Sequence, residues 1–261
     1  MGEHDDRWAD LARRLAVMGP PQVPGPAVAG AMARQAGPGR PRLILGLTPA
    51  LTALPGPLVA VEGSAGAFAA LWPGDRPGRR SVLADWRALP FPAGHFGAVL
   101  GDGALNVQTD PAAAVAVLAE AARVLAPFGS IVIRVFLRPT PAPLPSAVLA
   151  AAAGVGSLNV LRWQLASALA APPGHAVAVA DILTTAEAAL GPLAAFARAQ
   201  GLDAGQVAHW EAYRGSPLRY LFPDAAALSA WAAQAGLSLR LEPTAGYPGA
   251  ADCPLAVFAP A

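Results

Sequence analysis

The sequence predicts an α/β fold built on a mostly parallel sheet. Five short, nearly continuous apolar runs alternate with helical or irregular segments along the first half of the chain. An unbroken apolar run indicates a strand buried on both faces, as in parallel sheets that helices cover. A helix and two further strands follow near the C-terminus, where a loop containing Gly246, Pro248 and Gly249 suits a hairpin. The predicted strands are 42–46, 58–62, 81–85, 96–100, 130–136, 237–241 and 255–258.

Helix signals flank and separate these strands. Apolar residues at helical spacing predict an amphipathic helix over 3–18 and a short helix over 27–35. Asp110 is a suitable N-cap and Pro111 a suitable first-turn residue, so a helix is predicted between strands four and five. A further helix is predicted over 224–234, ending at Gly236.

A proline-rich connector over 139–145 opens a long segment that carries helix signals and no strand signal. We interpret 139–221 as a helical insertion between strands five and six. Helices are predicted there from Ala147 towards Ala171, from the capping box Thr184–Glu187 to Gly201, and from Asp203 to Gly215.

Composition and charge exclude several classes of function. Charged residues make up 13% of the chain and the net charge is +1, without a basic stripe, so nucleic acid is not an expected partner. No apolar run of about 18 residues is free of Gly, Pro and charge, so no membrane span is expected. The acidic opening, 1–6, does not have the pattern of a signal peptide. One cysteine and four scattered histidines predict neither an internal disulfide nor a metal site, and a cytoplasmic protein is expected.

Two central stretches match known motifs. Residues 84–99 place Asp85 at the end of strand three, followed by Leu-Pro-Phe, a short turn, a phenylalanine and a hydrophobic strand four. Residues 120–129 read Glu-Ala-Ala-Arg-Val-Leu-Ala-Pro-Phe-Gly. In this order, and with Tyr-Leu-Phe-Pro-Asp over 220–224, they resemble class I S-adenosylmethionine (SAM)-dependent methyltransferases, nearest the ubiquinone/menaquinone-methyltransferase branch. The resemblance implies a Rossmann-like fold with a seven-stranded, mostly parallel sheet and an antiparallel last strand.

The resemblance also implies that SAM binds at the carboxyl ends of the first strands. Glu62 is expected at the ribose hydroxyls and Asp85 at the adenine amino group, with Trp86 beside the ring; as alternatives, Glu62 is a solvated acid and Asp85 caps a turn. Thr48 and Ala50 replace two glycines of the family's first loop. Either Thr48 donates to the SAM carboxylate or the loop is too crowded to bind SAM. The implied cofactor residues are Gly46, Leu47, Thr48, Glu62, Gly63, Asp85, Trp86, Asp102 and Gly103.

Four polar residues are candidates for the chemistry of the acceptor. Asp102 ends strand four between two glycines, where it could orient the acceptor or form an ordinary turn. Arg134 lies inside an apolar strand, so it needs Asp102, a substrate acid or an exposed strand end. His209 and Tyr213 are one helical turn apart, which suits a lid that carries a general base. The alternative is that His209 is structural.

We therefore expect SAM-dependent methyl transfer by in-line displacement to a small-molecule acceptor. In this interpretation, 1–36 form helices covering the cofactor site, 37–138 and 222–261 form the SAM-binding core, and 139–221 cap the substrate. The alternative is a non-catalytic protein of the same fold that binds or scaffolds a partner enzyme. A nicotinamide enzyme is a weaker option, because the glycine fingerprint is incomplete. A homodimer or a partner enzyme is left open.

Overall fold

The computed structural model of the chain describes Arg14, residues 18–36 and residues 41–261. Within these residues, seven strands form one sheet in the order β3-β2-β1-β4-β5-β9-β8. The first five strands pair in parallel, whereas β9 pairs antiparallel with both β5 and β8. The predicted sheet is thus confirmed. The strands are β1 (Arg42–Leu45), β2 (Leu58–Glu62), β3 (Arg79–Leu83), β4 (Phe96–Asp102), β5 (Leu125–Arg134), β8 (Leu237–Glu242) and β9 (Leu255–Pro260).

Helices cover both faces of this sheet, because successive strand residues point to opposite sides. In β1, Leu43 and Leu45 pack in one buried cluster while Ile44 packs in another. The first cluster includes residues of α4 (Pro111–Val124) and α10 (Ala225–Gln234). The second includes residues of α1 (Pro26–Gln35), α2 (Pro49–Thr52) and α3 (Ala65–Leu71).

Local capping sets where these helices begin. Asp110 accepts a hydrogen bond from the Ala113 N–H at 2.8 Å, as its position before Pro111 predicts. Asp224 caps α10 in the same way. The start of β5 differs from the prediction, because the strand begins at Leu125, directly after α4, and not at residue 130. The predicted N-terminal helix over 3–18 lies almost wholly outside the described residues.

The insertion between β5 and β8 differs from its prediction in two places. The single helix expected from Ala147 is divided, because Gly156 has a positive φ of 69° and Ser157 starts a new helix by accepting from the Asn159 N–H. The Thr184–Glu187 pattern starts no helix; it lies inside one, where the Thr184 hydroxyl donates to the Ala180 carbonyl. The helices are α5 (Pro145–Ala150), α6 (Leu158–Leu169), α7 (Val179–Leu190), α8 (Leu193–Ala199) and α9 (Val207–Glu211).

The insertion also contains two strands that the sequence did not predict. β6 (Ala176–Ala178) and β7 (Arg219–Leu221) pair antiparallel as a separate ribbon. This ribbon brings the end of the insertion back to the sheet, where the Leu221 N–H donates to the Asn106 carbonyl at 2.7 Å.

Among the described helices, none is long and apolar enough to cross a membrane alone. Together α7 and α8 reach the length and composition of a span, but they meet at a bend of 56°.

Candidate functional site

A cavity of about 550 Å³ lies between the carboxyl edge of the sheet and the insertion. The strand order reverses at β1 and β4, which is where open α/β sheets bind their ligands. The volume lies within the ~300–1,000 Å³ that is usual for small-molecule sites. All nine residues that the resemblance assigned to the cofactor line this cavity: Gly46, Leu47, Thr48, Glu62, Gly63, Asp85, Trp86, Asp102 and Gly103.

The loop after β1 explains how this chain tolerates the loss of two glycines. Gly46 needs its glycine because its φ is +90°, a conformation that residues with a Cβ rarely adopt. Thr48 has an ordinary φ of −55°, and Ala50 lies within α2. Neither replacement is strained, and Thr48 lines the cavity. The backbone of this loop is therefore compatible with an open site.

Glu62 is held in place by the backbone that follows it. Its Oε1 accepts hydrogen bonds from the N–H groups of Gly63 at 2.8 Å and Ser64 at 3.0 Å. Ser64 in turn caps α3 through the Ala67 N–H. The carboxylate is thereby oriented at the end of β2, on the cavity wall.

Asp85 and Trp86 follow β3 and have different supports. Asp85 forms an ion pair with Arg87, whose Nη2 lies 2.6 Å from Oδ2, and this hydrogen bond holds the pKa of Asp85 below its usual value. A ligand amino group would share Asp85 with Arg87. Trp86 donates from Nε1 to the Val61 carbonyl at 2.8 Å, which fixes its ring beside Gly46.

Arg134 is paired rather than exposed at a strand end. Its side chain is fully buried, and its Nε lies 2.6 Å from Oδ1 of Asp102, the residue opposite it in the β4–β5 register. Burial raises the pKa of Asp102, and the charge of Arg134 opposes that rise. Burial also lowers the pKa of Arg134, but Asp102 outweighs it and the pKa is raised. Asp102 lines the cavity whereas Arg134 does not, so Arg134 acts by positioning Asp102.

The prediction that His209 and Tyr213 face the site together is wrong for His209. Helix α9 ends at Glu211, so the two residues do not share one regular helix face. Tyr213 lines the cavity, while His209 lies outside it and is buried. Burial, followed by the charges of Arg162 and Arg14, lowers the pKa of His209 to about 4.

Sequence reasoning missed an aromatic wall on the insertion side of the cavity. Phe136 and Trp163 stack with centroids 4.3 Å apart, and Trp163 stacks on Tyr220 at 5.6 Å. Burial raises the pKa of Tyr220, which therefore keeps its proton. Arg162 completes the wall. Their pattern in the sequence is that of ordinary core residues of a helix and a strand, so it carries no signal of a site.

Asn106 was also missed, although it follows the Gly101–Gly103 segment that the sequence singled out. Its Nδ2 donates to the carbonyls of Phe136 at 2.8 Å and Leu221 at 2.7 Å, and its Oδ1 accepts from the Phe136 N–H. The side chain therefore joins the ends of β4 and β5 to the insertion, at the floor of the cavity.

Comparison with known proteins identifies the fold that carries this cavity. No family model matches the sequence, and no curated protein matches it. Among solved structures, the DhpI-SAM-HEP complex matches with 15% identity over 98% of this chain and 95% of that one, at a TM-score of 0.56. The CcbJ methyltransferase of Streptomyces caelestis matches with 16% identity over 92% and 94%, at 0.54. The chain has the Rossmann-like methyltransferase fold.

A third matching structure carries a different description. It is a Rhodobacter sphaeroides protein described as a candidate Zn-dependent alcohol dehydrogenase, with 15% identity over 98% of this chain and 97% of that one, at a TM-score of 0.63. Among the described residues here, no group of three His, Cys, Asp or Glu side chains could hold a metal ion. At these identities the comparisons establish the fold, and the activity has to be argued from the site.

Proposed function

We propose that this protein transfers a methyl group from SAM to a small molecule bound in the cavity. The observation that carries the proposal is the convergence of nine expected cofactor residues, from the ends of β1 to β4, on one cavity. The same cavity continues to the aromatic wall of the insertion, so two ligands have room to meet there. The same-fold DhpI complex contains SAM, which supports the choice of cofactor.

The residues present fit SAM chemically. Glu62 has a backbone-oriented carboxylate suited to accept from two ribose hydroxyls. Trp86 offers an indole ring for the adenine, with Asp85 as acceptor for its amino group. Thr48 and Asp102 supply a hydroxyl donor and a carboxylate for the methionine part.

In the chemical step, the protein mainly has to align the acceptor with the methyl group. When bound, SAM supplies an activated methyl group on a sulfonium. The chain contributes orientation, since in-line displacement depends on how the acceptor is held. The aromatic wall would hold an apolar acceptor, and Tyr213 and Tyr220 bring hydroxyls to that end of the cavity. In this proposal His209 does not act as a base, because it lies outside the cavity.

Calorimetry with SAM and S-adenosylhomocysteine tests this function directly. We expect saturable binding of both with a Kd well below hundreds of micromolar. If neither ligand binds at hundreds of micromolar, the methyltransferase proposal is wrong. Methylated product, detected by mass after incubation with SAM and an acceptor, separates turnover from binding alone.

A second candidate is a non-catalytic protein of the same fold, with a second copy or another enzyme as its partner. Gly97, which stands where the family has an aspartate, favours it. It predicts a stable complex with a partner enzyme whose activity changes when this chain is added, without methylated product. The quinone-methyltransferase branch and the cytoplasmic location stay proposals that rest on sequence motifs and composition.

A further inference from the structure

The cavity contains a buried cation for which the cofactor proposal has no use. Arg162 is 2% exposed, lines the cavity and lies on α6, in the insertion. Its guanidinium carbon lies 5.1 Å from the centroid of the Tyr213 ring and 6.0 Å from that of Trp163. Both rings belong to the cavity wall, so the charge is located at the acceptor end.

Arg162 differs from the other buried arginine in its partners. Arg134 has the Asp102 carboxylate at 2.6 Å. Among the described residues, no carboxylate forms an ion pair with Arg162 and its guanidinium makes no hydrogen bond; its Nε is buried without a partner. A buried charge without a counter-charge is costly, and cation–π contacts offset only part of that cost.

The neighbours of Arg162 do not relieve this charge. His209 is neutral near pH 7, because burial and the Arg162 charge lower its pKa to about 4. Trp163 has a buried Nε1 donor that also lacks a partner. The acceptor end of the cavity therefore holds a cation without a counter-charge and an indole donor without a partner.

We propose that the acceptor is an aromatic carboxylic acid whose carboxylate pairs with Arg162 while its ring packs against Trp163 and Tyr220. This proposal rests on the proposed methyltransferase function and names its class of substrate. The planar guanidinium matches a carboxylate with two parallel hydrogen bonds, and the stacked rings beside it suit a flat apolar body. SAM also carries a carboxylate, so the test separates the two sources.

The experiment compares acids with their uncharged amides by calorimetry, with and without S-adenosylhomocysteine. The pairs are benzoate and benzamide, indole-3-carboxylate and its carboxamide, and 2-naphthoate and its amide. For the unaltered protein we expect at least one acid to bind about tenfold or more tightly than its amide, as for a hydrogen bond to a charged group. Arg162→Gln should abolish that ratio and leave the Kd of S-adenosylhomocysteine within about twofold.

Two further variants distinguish the loss of a partner for the carboxylate from a general loss of folded structure. Arg162→Lys should keep part of the preference for acids, since it keeps the charge. Arg138→Gln removes an arginine that also has a buried, unpartnered Nε but lies outside the cavity, and it should keep the full preference. Arg162→Gln should not lower the midpoint of urea unfolding, because it removes an unpaired buried charge.

Three results would overturn the proposal. The first is that no acid binds the unaltered protein more tightly than its amide; SAM binding would then leave the proposed function intact. The second is that Arg162→Gln weakens S-adenosylhomocysteine and spares the acids, which assigns the arginine to the cofactor. The third is that Arg162→Gln lowers the midpoint of urea unfolding but leaves the ratio of acid to amide affinity unchanged, in which case the role of Arg162 is structural. If SAM does not bind but the ratio holds, the proposed function fails and the carboxylate site stands.

Discussion

Replacing Glu62 by glutamine tests the placement of the cofactor with little disturbance of the fold. The amide keeps an oxygen for the N–H groups of Gly63 and Ser64, now 2.8 and 3.0 Å from Oε1, but it loses the charge. A hydrogen bond to a charged group contributes about 1.5–3 kcal/mol, so the Kd for SAM should rise at least tenfold.

Glu62→Ala removes the backbone hydrogen bonds as well as the charge. Two neutral-strength hydrogen bonds contribute about 0.5–1.5 kcal/mol each, so the free energy of unfolding should fall by about 1–3 kcal/mol beyond that of the glutamine variant. SAM affinity should fall at least as far as in Glu62→Gln. Comparing the two variants separates loss of the ligand contact from loosening of the Ser64 cap on α3.

The assay is calorimetric titration with SAM alongside urea unfolding of each variant. Glu211→Gln is a matched control, because this carboxylate forms an exposed ion pair with Arg214 and lies outside the cavity. It should leave the Kd unchanged. An unchanged Kd in Glu62→Gln, in a protein that unfolds normally, would refute the assignment of Glu62 to the cofactor.

Three further perturbations probe the Arg134–Asp102 pair, the loop after β1 and the buried His209. Arg134→Met leaves Asp102 buried and unpaired, so urea unfolding should show a loss of about 3–5 kcal/mol; the double variant with Asp102→Asn should recover much of it, and additive losses would argue against the pair. Gly46→Ala places a Cβ on a residue with φ +90°, and this backbone strain should cost about 1–3 kcal/mol and weaken SAM binding; unchanged stability and affinity would contradict the need for glycine there. The pKa of His209 is about 4 when folded against 6.5 when unfolded, so only the unfolded chain takes up its proton between those values. The free energy of unfolding should therefore fall by up to about 3 kcal/mol as the pH drops from 6.5 to 4, and His209→Gln should flatten this decline.

The sheet and its cofactor edge could be predicted because their signals are local. Unbroken apolar runs mark strands covered on both faces, and the acids Glu62, Asp85 and Asp102 stand at or just beyond their ends. In a parallel sheet these ends meet at one edge. The resemblance supplied the expected cofactor residues, and the parallel topology explains why they share one edge of the sheet.

The insertion could not be predicted to the same depth, because its structure depends on distant contacts. β6 and β7 pair as a ribbon although they lie about 40 residues apart in the sequence, so no short turn between them predicts a hairpin. Helix α7 begins at Val179 without a side-chain cap, so the capping pattern of Thr184–Glu187 predicted the wrong first residue for this helix. Arg162 reads in the sequence as a solvated helix residue, and only packing shows it to be buried.

Parts of the motifs that carried the family resemblance stabilise the core away from the cavity. Glu120 Oε2 accepts from the Leu89 N–H at 2.9 Å, and Arg123 donates to the carbonyls of Leu89 at 2.9 Å and Phe91 at 2.8 Å. The two motif stretches thus bind each other, at the opposite end of α4 from its Asp110 cap. These hydrogen bonds stabilise the fold, and none of the residues that form them lines the cavity. Glu120 and Arg123 lie outside the cavity whereas Arg162 lines it, so variants of the first two should change stability, while on the proposed function variants of Arg162 should change which acceptor binds.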